Sequence, residues 1–301
     1  MKKLVRIMGL CALVSLALVS CKKSEIKSFS ITSARVSSDS RTHIIPAGSV
    51  GGLKQLVWNT NDEIKVFKHD QVGEYMTFTV AEQYFEEPTA TFNLVGNQIS
   101  FMDQLGEGES NHYSAFYPYA TPGGTGHENE VRLSVLARQT FDGLDFLPNT
   151  FPMYGIDTDG DFEFKSDAGL LVIEFDRRTG ASITDEMCSL DSLELTAKNA
   201  DKYLAGSFVY YNDGTPNPNP AVFEGKGGTI MLVPTETITI PSIYQGIVFS
   251  WLFVVPEIDL MDGFYLRGYY GGEQKFELQG KCVIEKGKIT FMNSRVTLPV
   301  Q

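Results

Sequence analysis

The chain has 301 residues, 43% of them hydrophobic, and a formal net charge of −12 at pH 7. At ~100–200 residues per domain this length predicts two domains, and either half can bury its own core. Outside the N-terminal leader there is no basic run beyond Lys22-Lys23, which excludes nucleic acid and anionic lipid as partners.

The leader comes first. Met1-Lys2-Lys3 and Arg6 supply positive charge, and Ile7 to Val19 form a short apolar run. The run is too short to cross ~30 Å of hydrocarbon, so residues 1–21 read as a secretory signal and not a membrane span. It ends Leu18-Val19-Ser20-Cys21, the lipobox pattern of a bacterial lipoprotein. Small residues before the cysteine fit a signal peptidase, and the Cys21 thiol accepts a diacylglyceryl group. An ordinary secretory signal that happens to contain a cysteine is the alternative. Processing removes Lys2, Lys3 and Arg6 and no acid, which takes the net charge from −12 to −15. Lys22, not Asp, follows the acylated cysteine, which by enterobacterial sorting favours the outer membrane. Cys188 and Cys282 then remain. They are either a pair in an oxidising compartment or two buried small apolar residues.

Helical periodicity is nearly absent. Short period-two runs recur, separated by Gly, Pro, Asn and Asp. In chain order they are Ser28 to Thr32, Asp62 to Phe67, Tyr75 to Val80, Asp161 to Lys165 and Leu170 to Phe175, the last of these apolar on both faces. Leu193 to Leu195, Ser207 to Tyr210, Thr229 to Val233, Thr237 to Ile240 and Ile247 to Val255 follow. The last run contains Trp251 and is the most apolar; it predicts a central strand. Trp58 and Trp251 are expected in the core. Gly- and Pro-rich stretches at 121–126, 147–152 and 215–220 predict surface loops. The middle one divides the chain into an N-terminal domain of residues 22–150 and a C-terminal domain of residues 151–301. Many short strands with regular turn signals predict an all-β, β-sandwich class.

Few residues suggest chemistry. Asp157-Thr158-Asp159-Gly160-Asp161 begins like a calcium loop, but its glycine comes two places early and Ala168 stands where a bidentate Glu is needed. An Asp/Gly-rich turn explains the segment as well. His43, His69, His112 and His127 show no metal-ligand spacing, and there is no nucleophile elbow or phosphate loop. Glu86-Glu87 and Asp176 could be offered as a glycosidase pair, but solvated faces account for them. Tyr117, Tyr119, Tyr210, Tyr211, Tyr269 and Tyr270 could stack on sugars, though sandwich tyrosines more often serve core or rim. No enzyme activity, cofactor or metal is expected.

Several clusters in order resemble the fimbrillin-like family of Bacteroidetes surface lipoproteins, the subunits of type V pili. They are Ser40-Arg41-Thr42; Trp58 followed by Asn61 to Phe67; Ala90-Thr91-Phe92; and Tyr113 to Tyr119. Pro152 to Gly155, Asp191 to Ala197, Leu204-Ala205-Gly206 and Phe253 to Pro256 continue the series. The resemblance implies two tandem transthyretin-like β-sandwich domains. It also implies export as a lipoprotein, trypsin-like cleavage near the N-terminus, and polymerisation by strand exchange with other pilus subunits.

Residues at both ends suit that mechanism. Cleavage after Arg41, or secondly after Arg35, would detach a short N-terminal strand together with its lipid and leave unpaired backbone groups behind. At the other end Val296, Leu298 and Val300 alternate on one face, so this segment could add to a neighbour's open edge. It could equally be an ordinary last strand. The resulting expectation is a lipid-anchored, surface-exposed structural and adhesive pilus subunit of the outer membrane. The alternative is a monomeric surface lipoprotein that binds glycan or protein ligands.

Overall fold

The computed structural model describes residues 31–36, 43–45, 55–58, 62–68, 75–83, 89–95, 113–118, 130–142, 145–146, 150–157, 161–177, 189–211, 222–239 and 249–296. Within them every regular element is a strand, and no helix occurs. The all-β expectation holds.

One sheet closes on itself. It takes β1 (Ile31–Val36), β4 (Glu63–Lys68), β5 (Tyr75–Gln83), β6 (Thr89–Leu94), β7 (Tyr113–Tyr117), β11 (Met153–Asp157) and β12 (Asp161–Lys165). Their order is β1-β12-β11-β7-β4-β5-β6, and β6 pairs back onto β1. All contacts are antiparallel except β1 with β12, which is parallel. The interior follows from alternation. Val66, Ala115, Gly155 and Phe164 stand in register across four strands and are all buried. A Cβ on Gly155 would come within 3.3 Å of the Phe164 ring, so the smallest residue sits where the ring of Phe164 crosses the strand.

The remaining sheets use mostly later strands. A six-stranded sheet contains β9 (Arg138–Asp142), β10 (Asp145–Phe146), β15 (Ser192–Ala197), β18 (Thr229–Pro234), β22 (Phe264–Tyr270) and β23 (Glu273–Gly280), in the order β10-β9-β18-β15-β22-β23. A three-stranded sheet places β13 (Ala168–Arg177) between β20 (Phe249–Pro256), antiparallel, and β25 (Ile289–Val296), parallel. Another places β16 (Ala205–Tyr211) between β8 (Glu130–Val135) and β17 (Val222–Gly227). Three two-stranded ladders complete the set: β2 (His43–Ile45) with β3 (Gln55–Val57), β14 (Ser189–Leu190) with β19 (Ile238–Thr239), and β21 (Ile258–Asp259) with β24 (Val283–Ile284). The doubly apolar run at 170–175 is the middle strand β13, and Leu170, Leu171, Val172 and Ile173 are buried as a strand covered on both faces requires.

Hydrogen bonding does not divide at residue 150. β11 and β12 lie beyond it yet complete the closed sheet, while β8 and β9 lie before it yet pair with β16 and β18. The Pro-rich stretch at 147–152 is therefore a crossing between sheets, and strands on either side of it pair with the opposite half. The physical reason is that proline marks where a ladder stops, not which sheet resumes afterwards.

Two contacts join the layers. On the outside of the closed sheet Phe116 and Tyr154 pack against Tyr210 of β16, with ring centroids 5.4 and 5.1 Å apart. The Tyr210 hydroxyl donates to Asp167 Oδ2 at 2.8 Å, in the two-residue link between β12 and β13. Burial, with Asp167 beside it, pushes the Tyr210 hydroxyl well above the usual phenol range. The second contact is Gln139 of β9, a buried amide that imitates a strand. Its Nε2 donates to Val254 O at 2.7 Å and its Oε1 accepts from Val254 N at 2.9 Å, on the side of β20 away from β13. Replacing Gln139 by Leu keeps the volume but leaves both Val254 groups without those bonds. It should cost about 2–6 kcal/mol, at ~1–3 per buried orphan group, read as a lowered urea midpoint.

Cys282 is a free, half-buried thiol. Burial first, and then the neighbouring Asp259 carboxylate, push it up to about 11. Only the thiolate reacts, so near pH 8 native Cys282 should resist N-ethylmaleimide and label fully in urea, as mapped by peptide mass. Rapid native labelling would show it exposed.

Candidate functional site: the slot of the first strand

The candidate site is the position β1 occupies in the closed sheet. β1 is described over Ile31–Val36, with Arg35 inside it; of the alternating segment 28–32, residues 28–30 lie outside the described residues. β1 is bonded on both sides. Towards β12, Ser33, Ala34, Arg35 and Val36 stand against Asp161, Phe162, Glu163 and Phe164. Towards β6, Ile31, Ala34 and Arg35 stand against Phe92, Ala90 and Thr89, with a register shift between Ile31 and Ala34.

The floor beneath this position is aromatic and does not belong to β1. Trp58, fully buried, meets Phe92 of β6 edge-on at 5.1 Å and Phe164 of β12 at 5.0 Å. Tyr117 of β7 closes a third side at 5.5 Å, and its hydroxyl donates to buried Asp62 at 2.8 Å. Edge-to-face pairs of this kind add about 0.5–1.5 kcal/mol each beyond area burial. The cluster thus ties together the two strands that flank β1, using residues that would stay if β1 left. Trp58→Ala should cost about 3–5 kcal/mol, like other large aromatic deletions in cores, and lower the thermal midpoint of the intact chain. An unmoved midpoint would separate the cluster from stability.

The other end of the proposed exchange is only partly described. Arg295 and Val296 finish β25 and stand against Asp176 and Arg177 of β13. Leu298, Val300, Arg41 and Cys21 lie outside the described residues. In sequence Arg41 falls between β1 and β2.

The remaining candidates resolve individually. Trp251, like Trp58, is fully buried, as expected. Asp157 ends β11 and Asp161 begins β12, which pair antiparallel; residues 158–160 between them lie outside the described residues. Among the described residues no group of three or more His, Cys, Asp or Glu is placed to hold a metal. Glu86 and Glu87 lie outside the described residues, while Asp176 is a ladder residue opposite Arg295. Tyr117 and Tyr210 are core residues, Tyr211 is exposed, and Tyr269 and Tyr270 are half-buried. Sequence reasoning missed Gln139 and Asp167, because a single amide or carboxylate carries no periodic signal.

No protein-family model matches the chain, and no curated protein does. Solved structures do. A Bacteroides uniformis protein described as a "putative cell adhesion protein" shares 16% identity, with 88% of this chain and 92% of that chain covered and a TM-score of 0.52. A Bacteroides ovatus protein with the same description shares 16% identity over 81% of this chain and 86% of that one, at a TM-score of 0.49. A fimbrial protein from Bacteroides ovatus shares 14% identity over 89% of this chain and 50% of that one, at 0.35. The neighbours named here are described as putative cell adhesion proteins and a fimbrial protein. What the first of them shares with this chain is the fold.

Proposed function

We propose that this chain is a fimbrillin-like surface lipoprotein, held on the outer membrane by the Cys21 lipid until processing. After processing it serves as a structural and adhesive subunit of a type V pilus assembled by strand exchange. The observation that carries the reading is the two-sided pairing of β1 over a floor it does not contribute to. A strand held this way can be replaced without dismantling the sheet. Its loss exposes ladder groups on both β6 and β12, so an incoming strand gains hydrogen bonds on two edges instead of one.

The same geometry favours Arg41 over Arg35 as the processing point. Arg35 is fixed in two ladders, opposite Glu163 and Thr89, and a protease must draw its substrate into an extended, unpaired form. Cutting after Arg41 releases β1 whole. The replacing strand is the tail of the next subunit, with Leu298 and Val300 as its apolar positions beyond Val296, which ends β25 against Arg177 of β13. Burying two such side chains contributes roughly 3–6 kcal/mol before ordering costs, at ~1.5–3 each. Pairing from one subunit to the next does not close, so it extends as a filament.

Limited trypsin treatment of the chain from residue 22 should yield a form beginning at Thr42 and, in unheated gels, a ladder of oligomers. The Arg35→Ala/Arg41→Ala double variant and a deletion of residues 297–301, which spares β25, should each abolish the ladder. Ladders of equal strength in all three samples would sink strand exchange. A trimmed but strictly monomeric product would favour a surface lipoprotein that binds its ligands alone.

A further inference from the structure

Strand β6 is matched unequally by both of its neighbours, and by the same amount on each side. Towards β1, the two steps from Phe92 to Ala90 stand against the three steps from Ile31 to Ala34. Towards β5, the same two steps stand against the three from Val80 to Gln83, with Thr91 opposite Glu82. Each neighbour therefore carries one extra residue, a β-bulge, at the same level of the sheet. The other wall of the β1 position is regular. From Ser33 to Val36, against Asp161 to Phe164, β1 and β12 advance residue for residue.

The coincidence shows where the irregularity originates. Unrelated irregularities in β1 and β5 would have no reason to fall opposite the same two residues. The common element is β6, whose Phe92 and Ala90 are both fully buried, with the Phe92 ring edge-on to Trp58 at 5.1 Å. A bulge bends its strand and increases the local twist, and sheets that curve into closure use bulges to do so. Both partners of β6 bend around this buried pair. β5, β6 and Trp58 belong to the part of the ring that stays when β1 leaves. The requirement for an extra residue stays with them.

We infer that the β1 slot selects its occupant by residue spacing: the strand that fills it carries one residue more than β6 opposite Thr91, while keeping plain register with β12. The inference rests on the strand exchange proposed above and adds a rule for the strand exchanged. In β1 the positions opposite Phe92, Ala90 and Phe164 are Ile31, Ala34 and Val36, three and then two apart. A strand of strict period two, long enough to run the whole slot, matches one wall and slips against the other. Leu298 and Val300 are two apart and fit the spacing of Ala34 and Val36, the regular part. If the extra residue were instead a defect of β1 itself, removing it would straighten β1 and tighten its hold. The two explanations predict opposite signs.

Two measurements test the sign. In the chain from residue 22, deletion of Ser33 should lower the thermal midpoint, while the equal-length Thr32→Ala/Ser33→Ala variant should stay close to the parent. The parent chain is then cut with limited trypsin, the protease is inhibited, and labelled peptides of residues 28–41 are added in excess. The parent peptide and its Thr32→Ala/Ser33→Ala form should enter the slot with similar affinity. The peptide lacking Ser33 should bind about tenfold more weakly or worse, since it cannot complete both ladders. A shortened peptide that binds as tightly as the parent, or more tightly, overturns the inference. Equal loss for the double-Ala peptide also overturns it, because the effect would then lie in side chains and not in spacing. If the deletion variant of the chain unfolds, the peptides decide. If no peptide enters, replacement of β1 fails and the midpoints decide: a midpoint unchanged or raised by the deletion overturns the spacing rule. Peptides that discriminate as expected, in a chain that forms no ladder of oligomers, would uphold the rule and sink assembly by exchange.

Discussion

A strand in a sheet must satisfy backbone donors and acceptors along both edges or leave them to water. In the first sheet this requirement is met by closure: β1 fills the gap between β12 and β6, and the ring has no edge while β1 is present. The other features follow from that. Trp58, Phe92, Phe164 and Tyr117 make a rigid floor because the ring encloses them. The parallel contact of β1 with β12 is the exception in an otherwise antiparallel ring. β1 is the first strand of the ring in sequence, and its removal breaks no hairpin.

The later sheets cannot close and handle their edges differently. The far side of β20 is met at Val254 by the Gln139 amide, which supplies one donor and one acceptor as a strand would. The edge strands β17 and β23 carry charge: Glu224 and Lys226 on one, Glu273, Lys275 and Glu277 on the other. Glu224 is paired with Arg132 of β8, whose guanidinium holds its carboxyl below the usual range. Charge along an edge raises the cost of pairing with a wrong strand. A protein built to accept a foreign strand in one place needs such protection elsewhere, or assembly would have no fixed register.

The sequence shows strands well and partners poorly. Alternation at 75–80, 161–165 and 229–233 identifies β5, β12 and β18, since burial on one face imposes period two whatever lies alongside. Both tryptophans read as core and are core. Pairing is another matter. Nothing in Met153–Asp157 says that it returns to β7 across the Pro-rich crossing, because a ladder is made by backbone groups common to every residue. The division at residue 150 fails to follow the hydrogen bonds for that reason. The cross-strand row of Glu194, Arg267 and Glu277 is invisible for the same reason, since its members are separated in sequence and adjacent only in register.

The crossing also links the two ends of the molecule mechanically. The link from β12 to β13 is two residues long, and Asp167 within it accepts from Tyr210 and pairs with Lys286 at 3.6 Å. Lys286 stands in the turn that leads into β25, where Gly287 N donates to Ala168 O and Leu170 N to Lys288 O. Gly169 is required there, since a Cβ would lie 2.5 Å from Glu285 O. Strand β12, which borders the β1 slot, is therefore joined through a short, cross-braced link to the strand that leads into the C-terminal tail. If a tail strand from one subunit occupies the slot of the next, tension along the filament runs from β25 through this link to β12. It then passes across the ladder instead of peeling it from one end. A load shared by parallel ladder bonds persists longer than one that opens them in turn. In that case the brace at Asp167 lies where the polymer would carry its force, and the ring's two-sided grip on β1 would become its grip on the neighbour.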